Sequence, residues 1–168
     1  MDTKPFLEKV GKYKEALAQI AENRKLWKDK TKDLIYDTLV ACKSGTDLDW
    51  QVQKVERIEN LQAVNIHFNK QPSGFVEHTN SGVKAHVKKG AALCFSQAYN
   101  GQIFIIYSYP HVDEWVEQLA DKTVEKMAPS VLTEDFIVSH LGKFLTEMTF
   151  WESSNMSTRI GFTTGAHV

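Results

Sequence analysis

The sequence has few of the residues that build disulfide frameworks, membrane spans or leader peptides. Its two cysteines, Cys42 and Cys94, are too few for the framework of a small secreted domain and suit buried thiols in a reducing compartment. No run of about 18 apolar residues is present to span a membrane. The first residues also lack the unbroken apolar core of a signal peptide. The sequence therefore predicts a cytoplasmic protein with no membrane partner.

An excess of charge of one sign is lacking as well. The 168 residues contain 20 Lys and Arg against 21 Asp and Glu, for a formal net charge of −1. This balance gives no electrostatic reason to expect nucleic acid as the main partner. The charges are unevenly placed, because residues 1–43 are net basic and residues 91–168 are net acidic, which predicts that the two ends attract each other in the fold.

Known catalytic and metal-binding motifs are also missing. No serine lies in a G-x-S-x-G turn, and no Cys–His signature surrounds either cysteine. Neither cysteine lies at ligand spacing from a histidine, so we expect no metal and no cofactor. We predict a protein that is not an enzyme, with a hydrolase or nuclease as an alternative. The strand histidines available to such an enzyme are His67, His78 and His86.

The sequence begins with a long helical pattern over residues 4–42. Its first half carries apolar residues spaced alternately four and three apart, which is a heptad seam. The seam consists of Phe6, Val10, Tyr13, Leu17 and Ile20. Beyond it a wider apolar face favours packing on a sheet. A helix of this length would span about 58 Å, so it either overhangs the domain or breaks near Asn23 or Asp29.

After a loop at residues 44–49, the apolar period falls towards two, which is typical of strands. Residues 50–58 and 61–68 predict an antiparallel pair, although helix remains an alternative for residues 50–60. The segments "FVEHT" and "VKAHV" predict a short polar hairpin around "NSG". A two-residue loop there would place His78 and His86 on opposite faces, whereas a three-residue loop would place them on the same face.

Residues 91–110 predict a central hairpin without a charged side chain. Asn100-Gly101 favours a two-residue type I′ turn, with Tyr99 opposite Gln102. In that register one face carries Leu93, Phe95, Phe104 and Ile106. The other face sets small residues against large ones, which is typical of core and also suits a ligand pocket. The residues of that candidate pocket are Cys94, Ser96, Tyr107 and Tyr109.

The C-terminal third predicts two helices. The segment "PHVDEWVEQLADKTVEKM" has acidic residues early and lysines late, as the helix dipole favours, and residues 133–151 present a broad apolar face. The fold class is therefore α+β, an antiparallel meander of about five to six strands flanked by a long N-terminal helix and two C-terminal helices. Residues 1–43 form the helix, residues 44–152 the sheet and helix pair of the same domain, and residues 153–168 a flexible tail.

The function predicted from these features is binding. We expect the heptad seam to associate with a second copy of the chain, giving a homodimer, or with another protein. The alternative is a small-molecule sensor or carrier that uses the pocket on the central hairpin.

Overall fold

The chain begins with one continuous helical segment. The computed structural model describes residues 2–154. In it, helix α1 covers Lys4–Leu26 and helix α2 covers Lys32–Ser44, and the residues between them, Trp27–Thr31, form a π-helical turn that does not interrupt the helix. Pro5 lies in the first turn, where its missing amide hydrogen costs no helical hydrogen bond. The long N-terminal helix is therefore confirmed.

The π-helical turn keeps one side of the helix on the core. The buried residues of the helix recur at every fourth position: Asn23, Trp27, Thr31, Ile35 and Leu39. In a regular α-helix, four residues overshoot a full turn by about 40°, so a long series with this spacing would spiral away from the sheet. The wider turn of the π-helix takes up part of that drift. One of the two places predicted for a break thus holds this irregularity, and the helix continues through it.

Within the described residues, eight strands form two antiparallel sheets. In chain order they are β1 (Trp50–Val55), β2 (Ala63–Phe68), β3 (Gln71–Thr79), β4 (Gly82–Lys89), β5 (Ala92–Gln97), β6 (Ile103–Ser108), β7 (His111–Val112) and β8 (Lys122–Met127). The main sheet has the order β1-β2-β5-β6-β8, and the second sheet has the order β3-β4-β7. The first pair of strands is confirmed, with Trp50 opposite Phe68. The polar hairpin of β3 and β4 leaves the meander and forms the second sheet together with β7. The strands exceed the number predicted because β7 and β8 lie in a segment that was predicted to be a helix.

Two helices cover one face of the main sheet. Helix α3 (Glu134–Ser153) follows a short 3₁₀ turn at Pro129–Val131 and is capped by Thr133, whose hydroxyl accepts a hydrogen bond from the Phe136 amide. It packs beside α2, and both contribute to one apolar core with the sheet. The fully buried members of this core include Ile35, Leu39, Ile66, Leu93, Phe95, Ile103, Ile105, Ile137 and Phe144. None of the helices within residues 2–154 combines the length and apolarity needed to cross a membrane.

The first of the two predicted C-terminal helices is wrong. Residues 111–128 instead form β7, an irregular segment at residues 113–121, and β8. Val112 and Val116 lie opposite each other in an isolated β-bridge. Strand β8 pairs with β6 and completes the edge of the main sheet. These sheet hydrogen bonds outweigh the local preference for helix, because the helix propensities of most residues differ by only a few tenths of a kcal/mol.

The two-residue turn predicted for the central hairpin is also wrong. The backbone amide of Ala98 donates to the Gln102 carbonyl over 2.8 Å, and the amide of Gly101 donates to the Ala98 carbonyl over 2.8 Å. A type I′ turn needs positive φ at two successive residues. Here Gly101 has a φ of 74°, whereas Asn100 is not among the residues with positive φ. The loop therefore contains three residues, and the register shifts by one.

This shift changes which residues share a face. The core face of the hairpin carries Leu93, Phe95, Gln97, Ile103, Ile105 and Tyr107. Phe104 and Ile106, predicted to lie with Leu93 and Phe95, are on the opposite, half-buried face. The predicted tail at residues 153–168 lies, beyond Ser154, outside the described residues.

Candidate functional site

The residues of the heptad seam lie along one exposed stripe of α1, which we call the α1 seam (Phe6, Val10, Tyr13, Leu17 and Ile20). Phe6 and Tyr13 are 65% and 66% exposed and Leu17 is 46% exposed, while Val10 and Ile20 are half-buried. The buried residues of the long helix begin only at Asn23. The α1 seam is thus an apolar stripe that the chain's own core does not cover.

The base of α1 is held by the tip of the central hairpin. The Asn23 side-chain amide donates to the Asn100 carbonyl over 3.2 Å. The Arg24 guanidinium donates to the Tyr99 carbonyl over 2.7 Å and lies 5.0 Å from the centre of the Tyr99 ring, a cation–π distance. Gly101 allows this approach, because a Cβ there would lie 2.5 Å from the Asn23 Cβ. These contacts fix the direction in which the α1 seam leaves the domain.

Lysines flank the α1 seam, and the glutamates of α1 lie away from it. Counting heptad positions from Phe6, Lys9 and Lys14 lie beside the seam on its two sides. Glu8, Glu15 and Glu22 lie on the far side of the helix and are exposed. A partner helix on the seam would therefore meet positive charge along its edges.

The structure divides the four predicted pocket residues between two faces of the hairpin. Cys94 and Ser96 lie on the half-buried face, whereas Tyr107 lies on the core face opposite Leu93. Tyr109 follows β6 on the same side as Tyr107, and both hydroxyls reach α3. The four residues do not form one wall, and the two tyrosines belong to separate polar clusters.

Tyr107 belongs to a partly buried cluster with His140 and Glu125. The Tyr107 hydroxyl lies 3.4 Å from Nδ1 of His140 and donates to the His140 carbonyl over 3.3 Å. Nε2 of His140 lies 3.1 Å from a carboxylate oxygen of Glu125. Burial lowers the pKa of His140, although its hydrogen bond with Glu125 acts in the opposite direction. Burial, with the nearby charge of Glu147, raises the pKa of Tyr107 to about 12. At neutral pH the hydroxyl is therefore protonated and donates a hydrogen bond.

Tyr109 belongs to a second cluster, which is centred on Glu147. Lys122 and the Tyr109 hydroxyl each donate to the Glu147 carboxylate over 2.9 Å. These two hydrogen bonds, that of Lys122 first, lower the pKa of Glu147. The pKa of Tyr109 is raised by burial and by the hydrogen bond to Glu147. The cluster thus joins an ionised carboxylate to two donors.

Cys94 has the environment of a structural thiol. Burial, together with the negative charge of Asp121, raises its pKa to about 11. Because the thiolate is the nucleophilic form, Cys94 is a poor nucleophile at neutral pH.

The three strand histidines lie apart. His67 is in the main sheet, whereas His78 and His86 are in the second sheet. Thr79 pairs with Gly82 around a two-residue loop, so His78 and His86 point to opposite faces. His78 is exposed and His86 is buried. The fold does not gather them into one catalytic group.

His86 has two partners that compete for one ring nitrogen. Its Nε2 lies 3.1 Å from the indole nitrogen of Trp115 and 3.2 Å from a carboxylate oxygen of Glu77. The indole can donate only to an unprotonated Nε2, whereas an ionised carboxylate accepts only from a protonated one. Whether Nε2 of His86 carries a hydrogen therefore decides between a bond from the Trp115 indole in the irregular segment and a bond to Glu77 in β3. No sequence signal indicated this pair, since Trp115 was assigned to a helix.

A cavity of about 480 Å³ opens between the second sheet, the irregular segment at residues 113–121 and the C-terminal half of α3. We call it the α3 cavity. Its apolar wall includes Phe75, Tyr109, Val116, Leu119, Phe150 and Trp151. Sequence reasoning placed only Tyr109 at a candidate pocket. The other residues come from separate segments whose meeting depends on the fold, and no local pattern marks them.

In residues 2–154, no group of three or more His, Cys, Asp or Glu side chains is arranged to hold a metal ion. Comparison of the chain with known protein families, with curated proteins and with solved structures finds no significant match.

Proposed function

We propose that this chain is a non-catalytic association module that pairs with a second copy of itself through the α1 seam. The observation that carries the proposal is the exposure of a regular apolar stripe on a helix that is anchored at its base. Burying a large apolar side chain such as Phe6 or Leu17 contributes about 1.5–3 kcal/mol. A partner helix on the seam would recover this free energy, because the long helix begins to bury side chains in its own core only at Asn23.

Charge along the seam favours an antiparallel pair of helices. In a parallel pair, the residue at Lys9 would face the residue five positions later in the partner, which is Lys14. Two such lysine pairs would repel each other. In an antiparallel pair with Val10 opposite Tyr13 of the second copy, Lys9 faces Ala16 and Lys14 faces Leu7, so the repulsion is avoided. The two globular parts would then lie at opposite ends of the helix pair.

The chemistry of the remaining candidate residues supports a binding role. Burial raises the pKa values of Cys94 and Tyr107 to about 11 and about 12, so at neutral pH both groups stay protonated, the thiol is a weak nucleophile and the tyrosine does not act as a base. The proposal places the protein in the cytoplasm, where a reducing environment would keep both cysteines as the thiols that the structure shows.

The experiment measures the mass of the protein in solution by light scattering over a range of concentrations, at low and high salt. The test variant is Leu17→Asp with Ile20→Asp. The matched control is Lys12→Asp with Glu15→Asp, which changes two positions three apart off the seam and alters the net charge by the same amount. Removing two buried apolar anchors should cost about 4 kcal/mol or more, which weakens a dimer by about three orders of magnitude.

The expected result is a dimer that persists in high salt, is retained by the control and is lost in the test variant without loss of helical circular dichroism. The proposal is refuted if the unmodified chain remains a monomer at the highest concentration. It is also refuted if the folded test variant keeps the dimer mass.

A further inference from the structure

We propose that the α3 cavity is a binding site for an uncharged, largely apolar small molecule. Ligand cavities in proteins usually enclose about 300–1,000 Å³ and have mainly apolar and aromatic walls with few polar groups. The α3 cavity has about 480 Å³ and is lined by Tyr109 and Trp151 among other aromatic side chains. This site is separate from the α1 seam and goes beyond the proposed association.

The polar groups on the cavity wall are already paired within the chain, which favours a ligand without charge. Glu147 is bound by Lys122 and Tyr109, and Glu152 forms an ion pair with Lys88. A charged ligand group would have to take a partner from one of these pairs, and burying an unpaired charge costs more than burying an apolar group. An uncharged ligand leaves both pairs intact and gains from the apolar walls.

The irregular segment at residues 113–121 supplies the mouth of the cavity. Val116, which is buried, is held by hydrogen bonds in both directions with Val112, of 2.9 and 3.2 Å. Leu119 lines the cavity and is still 40% exposed, so it lies at the edge between cavity and solvent. A larger side chain at Leu119 can therefore block the cavity while the folded core keeps its packing.

Two related dyes test the site with the full chain. N-phenyl-1-naphthylamine is uncharged and fluoresces strongly in apolar surroundings, and 8-anilinonaphthalene-1-sulfonate carries the same rings with an added sulfonate. We expect saturable binding of one uncharged dye per chain, at least about tenfold tighter than binding of the sulfonate, since the described lining residues include a single cation, Lys88, which is paired with Glu152.

Three variants locate the dye. Leu119→Trp should weaken binding by at least about tenfold, because the indole fills the mouth of the cavity. The matched control is Leu61→Trp, at an exposed leucine in the loop between β1 and β2, and it should bind as the unmodified chain does. The seam variant Leu17→Asp with Ile20→Asp should also bind normally, which separates this site from the α1 seam and makes failure here independent of failure to dimerise.

Three results would overturn the inference: no saturable binding, equal binding by Leu119→Trp and the unmodified chain, or tighter binding of the sulfonate. Circular dichroism checks that each variant is folded. If Leu119→Trp does not fold, Leu119→Asp takes its place, because a charge at the mouth of a site for uncharged ligands should weaken binding by a similar factor without adding bulk.

Discussion

Replacing Gly101 with alanine tests how closely the long helix approaches the central hairpin. Gly101 has a φ of 74°, a conformation that costs other residues about 1–2 kcal/mol. The added Cβ would also lie 2.5 Å from the Asn23 Cβ and 3.1 Å from the Arg24 amide nitrogen. Forcing extra atoms into a packed contact costs about 1–3 kcal/mol, so the total loss in the free energy of unfolding should be about 2–5 kcal/mol.

Gly74→Ala is the matched control for this experiment. Gly74 has a similar φ of 83°, but a Cβ there meets nothing within 4 Å. It should therefore lose only the backbone part, about 1–2 kcal/mol. The effect of alanine on the unfolded chain is the same in both variants and cancels in the difference. Gly101→Ala should thus be less stable than Gly74→Ala by about 1–3 kcal/mol.

The assay is urea unfolding followed by circular dichroism and by tryptophan fluorescence. The long helix and the hairpin form one packed unit in this structure, so both probes should report the same transition. If the two variants agree within about 0.5 kcal/mol, the contact between Gly101 and Asn23 does not exist in the folded protein, and the account of how α1 is anchored is wrong.

Three further predictions concern buried or half-buried side chains. Burial lowers the pKa of His140, so the unfolded chain binds more protons once the pH falls below about 6.5. The free energy of unfolding should then fall with decreasing pH until the pKa of the folded state is passed. In His140→Gln it should fall less steeply. Urea unfolding at several pH values measures both, and an equal dependence on pH in the two proteins would contradict the prediction. The second prediction concerns Cys94, whose pKa is about 11, in a Cys42→Ser background. At pH 8, Cys94 in the folded protein should react with a disulfide reagent at least about 100-fold more slowly than Cys94 in the protein unfolded by urea. Similar rates in the two states would contradict this pKa. Trp27 is 1% exposed and donates to the Gln62 side chain over 3.1 Å, so Trp27→Ala should lower the free energy of unfolding by about 3–5 kcal/mol; a loss below about 1 kcal/mol would show that the π-helical turn does not place the indole in the core.

Local patterns were sufficient for the elements that repeat one period over many residues. The helical spacing from Phe6 onwards predicted the N-terminal helix, and the alternation at Val64 and Ile66 predicted a strand that the structure confirms. These patterns are reliable because each side chain must face either core or solvent, and the period follows from the geometry of the backbone. The α1 seam was visible for the same reason, and its role in association remains a proposal.

Two elements escaped prediction because distant contacts decided them. The segment ending at Met127 has helical charge order, but β6 offers it a row of unpaired backbone groups and it becomes the edge strand β8. At the central hairpin, one extra residue in the loop moves Tyr107 from the face of Cys94 to the face of Leu93. Such a shift reverses the side of every residue in a strand, so an error of one residue in the turn was enough to break up the predicted pocket.

The sequence alone determined the α+β class, the long helix and its exposed apolar stripe, because these depend on periodicity and composition. The tertiary structure alone decided the register of the hairpin, the pairing of His86 with Trp115, and the meeting of Phe75, Val116 and Trp151 around the α3 cavity. These depend on which distant segments pack together. That choice is made by the summed burial and hydrogen bonding of the whole chain, and no short stretch of residues records it.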